Sequence, residues 1–87
     1  MSPQRLSSVR SEFVKRVSEP DLNQLLDELF QDGIINTEEM ETAKTKSRAD
    51  RAREVIDMVL KKGTQASSSL IAHLHELDPH LYQTLNL

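Results

Sequence analysis

Apolar residues recur at helical spacing along almost the whole chain, and the recurrence is cut at fixed points by Pro20, Gly33, Gly63 and Pro79. A pattern with a period near 3.6, repeatedly stopped by residues that cap or break helices, commits the chain to short amphipathic helices packed on one another. Leu6, Val9, Phe13 and Val17 predict a first helix over about 3–17, with Ser2 as its cap and Pro3 in its first turn. Leu22, Leu25, Leu26, Leu29 and Phe30 form the stripe of a second over about 21–31, which Asp32-Gly33 closes. Ile34-Ile35 is expected to enter the core from the connection. Asn36 with Glu39 three residues on has the form of a capping box, opening a third helix over about 37–44 with Met40 and Ala43 inward.

Ser47 and Asp50 stand where a cap belongs, ahead of Ala52, Val55, Ile56 and Val59 on a fourth helix over about 48–62. Lys61-Lys62 suits the negative end of that helix, and Gly63 ends it. Ala66, Leu70, Ile71, Leu74 and Leu77 mark a fifth over about 65–76. Asp78-Pro79 then opens a short sixth over about 79–85 with Leu81, Tyr82 and Leu85. No run alternates as a strand does, so the fold class is all-α, a six-helix antiparallel bundle. At 87 residues there is room for a single domain.

Composition narrows what such a bundle does. The chain has no cysteine, which removes disulfides and thiolate metal sites and fits a reducing compartment. No apolar run spans a bilayer and the N-terminus lacks the apolar core of a signal peptide, so a cytoplasmic protein away from membranes is expected. A net charge of −3 argues against a nucleic-acid surface; a small helical nucleic-acid binder using the bases of the fourth helix is the weaker alternative.

No constellation for catalysis is legible. His73 and His75 diverge on a helix, His80 lies in the next one, and all three read as solvated or edge residues without metal. Ser67-Ser68-Ser69 has no activating neighbour in sequence and reads as an exposed or lightly packed turn. Gly33 and Gly63 are too far apart for a phosphate loop. Neither a cofactor nor an enzymatic activity is expected.

Charge is sorted, however. Residues 20–44 hold seven acids and one base, residues 45–63 six bases and three acids, and residues 1–19 four bases and two acids. Solvated faces account for such sorting in an arbitrary protein, while opposed patches on two copies would make a heterologous contact able to propagate.

Leu25-Leu26-Asp27-Glu28-Leu29-Phe30, followed by Ile34-Ile35-Asn36-Thr37-Glu38-Glu39-Met40, resembles the second and third helices of caspase recruitment domains, especially those of inflammatory caspases and their decoys. Ala52-Arg53-Glu54-Val55-Ile56-Asp57-Met58-Val59, Lys62-Gly63-Thr64-Gln65-Ala66 and Leu74-His75-Glu76-Leu77-Asp78-Pro79-His80-Leu81 are similar to the later helices of that family and their junctions. The resemblance implies a Greek-key death fold with a kinked first helix. It also implies homotypic binding to other recruitment domains, in a caspase, an adaptor or a nucleotide-binding receptor, and self-association into oligomers or filaments.

Arg10 and Arg53 match basic contact positions of the family, with Arg48 and Arg51 beside them. Asp27, Glu38, Glu39 and Glu41 match the acidic counter-surface, to which Glu28 is joined. Ala49 stands where a partner-binding member has a basic residue, leaving Arg48 or Arg51 to compensate. Inhibition by a free-standing decoy is the alternative output, and a chain running from Met1 to Leu87 is compatible both with that and with a piece of a larger protein.

Overall fold

The expected helices form in order, with the first broken in two. A computed structural model describes residues 3–87, and the expected cap at Ser2 lies outside the described residues. The helical segments are α1 (Pro3–Ser8), α2 (Arg10–Arg16), α3 (Glu19–Gln31), α4 (Thr37–Lys44), α5 (Arg48–Lys62), α6 (Thr64–Leu77) and α7 (Pro79–Thr84). The break falls at Val9, whose φ of −106° and ψ of 11° leave the helical region. Its N–H reaches back only three residues, to Leu6 at 3.2 Å, before the ladder resumes from Phe13 N–H to Val9 C=O. The bend has a packing consequence: α1 lies against both α5 and α6, while α2 lies along α5. Leu6 and Phe13 are thereby both fully buried.

Local chemistry fixes most of the boundaries. Ser18 accepts from the backbone N–H of Asp21 and Pro20 sits in the first turn of α3, which begins two residues earlier than its apolar stripe suggests. At the other end Gly33 takes a φ of +75°, Ile34 N–H bonds Leu29 C=O, and Gly33 N–H bonds Phe30 C=O. This is a Schellman closure, and it turns the chain so that Ile35 enters the core. Both halves of the Asn36–Glu39 capping box form on α4. Asp78 accepts from Leu81 N–H ahead of Pro79 on α7.

α5 is the axis of the molecule, touching α1, α2, α3, α4 and α6. Val55, Ile56 and Val59 on it are fully buried against Leu22, Leu25 and Leu29 of α3 and Leu70, Ile71 and Leu74 of α6 in one cluster. Truncating one of these leucines to alanine costs about 2–5 kcal/mol.

Two expectations about the core are corrected. Phe30 is not a core residue but stands 41% exposed, because successive helical positions lie about 100° apart and Leu29 already occupies the inward position. Within the serine triplet, read as an exposed or lightly packed turn, Ser68 and Ser69 are partly exposed, but Ser67 is fully buried and its Oγ donates to the Val59 carbonyl at 3.3 Å, where α6 crosses α5. Among the described residues no helix is long and apolar enough to cross a membrane.

Candidate functional site: a basic groove and an acidic face

The bases of the first helix and of α5 converge. α2 lies along α5, and between them runs an open groove of about 390 Å³ lined by Arg10, Ser11, Val14, Lys15, Arg48, Ala49 and Arg53. Arg10 donates Nε and Nη2 to the two carboxylate oxygens of Asp57, at 2.7 and 2.8 Å. The bidentate contact holds the Asp57 carboxyl below the usual range and pushes the Arg10 guanidinium up. Arg53 donates to Asp50 at 2.7 Å. Arg48 instead donates both Nη1 hydrogens to backbone, the carbonyls of Val14 at 2.7 Å and Val17 at 2.9 Å. Those carbonyls are groups that the end of α2 leaves unpaired, so Arg48 closes the helix from outside.

Arg51, expected beside these residues on the basic face, is not on it. Its side chain is 10% exposed and lies inside, where Nη1 donates to Asn23 Oδ1 at 2.9 Å and meets Glu19 at 3.4 Å. Nε and Nη2 reach the carbonyls of Ala43, Lys44 and Lys46. The physical reason is its register: Arg51, Val55 and Val59 share one stripe of α5, and a cation on that stripe must find internal acceptors. Arg51 therefore ties the start of α3 to the end of α4, and of the two candidates to compensate for Ala49 only Arg48 remains in the groove.

The acidic residues are held more loosely. Asp27 faces Lys44 at 3.7 Å, with both side chains about half exposed. Glu28 faces Nδ1 of His73 at 3.6 Å. Glu39 has a structural task, accepting the Asn36 N–H and pairing with Lys62 at 3.0 Å; the backbone contact first and the lysine second hold its carboxyl low. Glu38 and Glu41 are exposed. Glu38 and Glu39 border a second open groove, of about 610 Å³, between α4 and α5, with Met58, Glu54 and Lys61 across it.

The acidic half also repels itself at one point. Burial first, then the carboxyl of Asp78, pushes Asp21 up to about 6, while the proton that Asp21 donates and the Leu81 N–H hold Asp78 low. The two carboxyls thus shift each other in opposite directions.

Sequence reading missed one cluster. His73, expected to be solvated or at an edge, is half-buried with Nε2 at 2.6 Å from Asp32 Oδ2. Ser69 Oγ donates to the same oxygen at 3.4 Å. Serine and histidine both engage the carboxylate rather than each other, so this is not an activated hydroxyl. The partners are 41 residues apart, and no spacing announces them. His75 stacks on Tyr82 with ring centroids 4.2 Å apart. Among the described residues no group of three His, Cys, Asp or Glu is placed to hold a metal ion.

A family model described as the caspase recruitment domain matches residues 4–87. Caspase-1 of Felis catus is 42% identical over 89 residues, covering 100% of this chain and 22% of the relative. Caspase recruitment domain-containing protein 16 of Homo sapiens is 38% identical, with 100% of this chain and 45% of that protein covered. The chain thus spans about a fifth of the caspase-1 length. The solution structure of ICEBERG, an inhibitor of interleukin-1β generation, superposes with a TM-score of 0.86 at 34% identity over 94% of both chains. A family match over nearly the whole chain, the all-helical death fold shared with that structure and the kink at Val9 agree: the chain belongs to the caspase recruitment domain family.

Proposed function

We propose that the chain is a homotypic adhesive, one recruitment domain binding another, and that it gathers a caspase, an adaptor or a nucleotide-binding receptor in inflammatory or apoptotic signalling. The observation that carries this reading is the pairing of a backbone-anchored basic groove on α2 and α5 with exposed carboxylates on α3 and α4. Such surfaces are complementary between copies and need no reaction centre. Bringing tethered effectors together raises their local concentration without further contacts. The affinity of a single contact made by exposed ion pairs is modest, about 1 kcal/mol per pair, so assembly depends on several contacts at once.

The test is association with a purified caspase-1 recruitment domain, followed by light scattering at rising concentration. Raising salt from about 0.05 to 0.5 M is expected to weaken association. Association indifferent to salt removes the electrostatic reading.

A second output is favoured by one observation, the likeness to ICEBERG, whose description is that of an inhibitor. In that reading the chain caps partner assemblies. Added in substoichiometric amounts to a polymerising caspase-1 recruitment domain, a recruiter accelerates growth and a decoy arrests it.

A further inference from the structure

Arg10 and Arg53 are the arginines that family resemblance singles out, yet neither is the best equipped to receive an incoming carboxylate. A guanidinium grips a carboxylate most tightly through its Nε and Nη2 hydrogens acting as a fork. In Arg10 that edge is closed, since both atoms already donate to Asp57. Arg53 keeps Nε and Nη2 open as well, but its Nη1 already donates to Asp50 at 2.7 Å, which offsets part of its charge, and no backbone carbonyl anchors it. Lys15 is exposed and offers a point charge without a fork.

Arg48 combines what these lack. Its hydrogen bonds all run from Nη1 to neutral carbonyls, which fix the guanidinium and leave its charge uncompensated. Nε and Nη2 donate to nothing within the described residues. The anchoring also holds the side chain in place before any ligand arrives, which lowers the entropy lost on binding. Ala49 and Ser11, both with small side chains, line the same open groove as Arg48. Read this way, Ala49 is the residue that gives access to Arg48.

We propose that Arg48 is the carboxylate-receiving residue of the groove, taking an Asp or Glu side chain from an exposed acidic helix of another recruitment domain. The assignment rests on the homotypic reading for the identity of the partner, and on the groove's own geometry for the chemistry.

The experiment has two arms. In the first, the arginine Nε–H signals of the unaltered chain are followed by NMR during titration with glutarate, against sodium chloride at matched ionic strength. The Arg48 signal is expected to move and saturate with glutarate alone, while that of Arg10 stays. A response at Arg10 or Arg53 in place of Arg48, or equal movement in sodium chloride, overturns the proposal.

In the second arm, Arg48→Lys keeps a donor for the α2 carbonyls but loses the fork. Its binding to an immobilised caspase-1 recruitment domain is expected to fall about tenfold at an unchanged melting temperature, while Arg10→Gln loses less than about threefold. The reverse order overturns the proposal. If glutarate finds Arg48 but no recruitment domain binds the unaltered chain, the homotypic reading fails and the carboxylate site stands.

Discussion

The basic groove and the acidic face carry opposite charge and are also built to different standards of rigidity. In the groove, Arg10 is gripped by Asp57 and Arg48 by the end of α2, so the cations hold their places before a partner arrives. On the acidic face, Glu38 and Glu41 project from a short helix and Asp27 has only a distant lysine. Where charges are fixed, association gains from preorganisation; where they are free, each must be ordered on binding and contributes little alone. In the homotypic reading we propose, this difference casts the groove as the receptor of the pair and the acidic helix as its adaptable ligand.

The largest effect expected along this contrast is on Arg51, the cation that went inside. Arg51→Met removes five acceptors' worth of order between α3, α4 and α5 and is expected to lower stability by about 3 kcal/mol in urea denaturation. A loss below about 1 kcal/mol would show that the loop carbonyls are satisfied by water instead. Next, reversing the free acids together, Glu38→Lys with Glu41→Lys, is expected to weaken association with a caspase-1 recruitment domain roughly tenfold while changing stability by less than about 0.5 kcal/mol. Unchanged association would take the ligand role away from α4.

Smaller is the effect of relieving the repulsion at Asp21. In the fold this carboxyl keeps its proton up to about pH 6, against 3.8 for the free side chain. Between those values the folded chain binds more protons than the unfolded one, so stability falls as pH rises from about 4 to 6 and recovers on acidification. With solvent screening, Asp21→Asn is expected to add about 1 kcal/mol at pH 7.5 and little at pH 4.5, as read by urea midpoints at both. The smallest expected effect is at the cap that holds the acidic helix in place: Asn36→Ala should cost somewhat under 1 kcal/mol and quicken amide exchange in α4 alone.

Most helix boundaries were legible because their determinants are local, whereas periodicity read the first helix as unbroken over 3–17 and only the resemblance pointed to its break, which falls at Val9. The Asn36–Glu39 box, the left-handed Gly33 and Gly63, and Asp78 before Pro79 each act within a few residues. The convergence of Arg10, Arg48 and Arg53 was legible through resemblance. Reading by polarity went astray where register decides: Arg51 lies four residues before Val55 and eight before Val59, on the inward stripe, and Ser67 lies three before Leu70 and seven before Leu74, on the inward stripe of α6. Polarity outweighed periodicity in reading both, although the stripe held the better signal. His73 with Asp32, and Arg48 with the carbonyls of Val14 and Val17, lay beyond sequence reading, since each joins helices that only tertiary packing brings together.

Gly63 is at once the residue that ends α5 and the one that begins α6, with a φ of +108° and open space where a Cβ would stand. Two of the longest helices therefore meet at a joint with no slack in it. One residue inserted there would turn α6 by about 100° about its own axis. That rotation would carry Leu70, Ile71 and Leu74 out of the interior together. Length at this joint is thus fixed as firmly as chemistry is anywhere in the core: the loop between α3 and α4 has residues to absorb an insertion, whereas here a change of one would have to be answered by rebuilding a whole helix face.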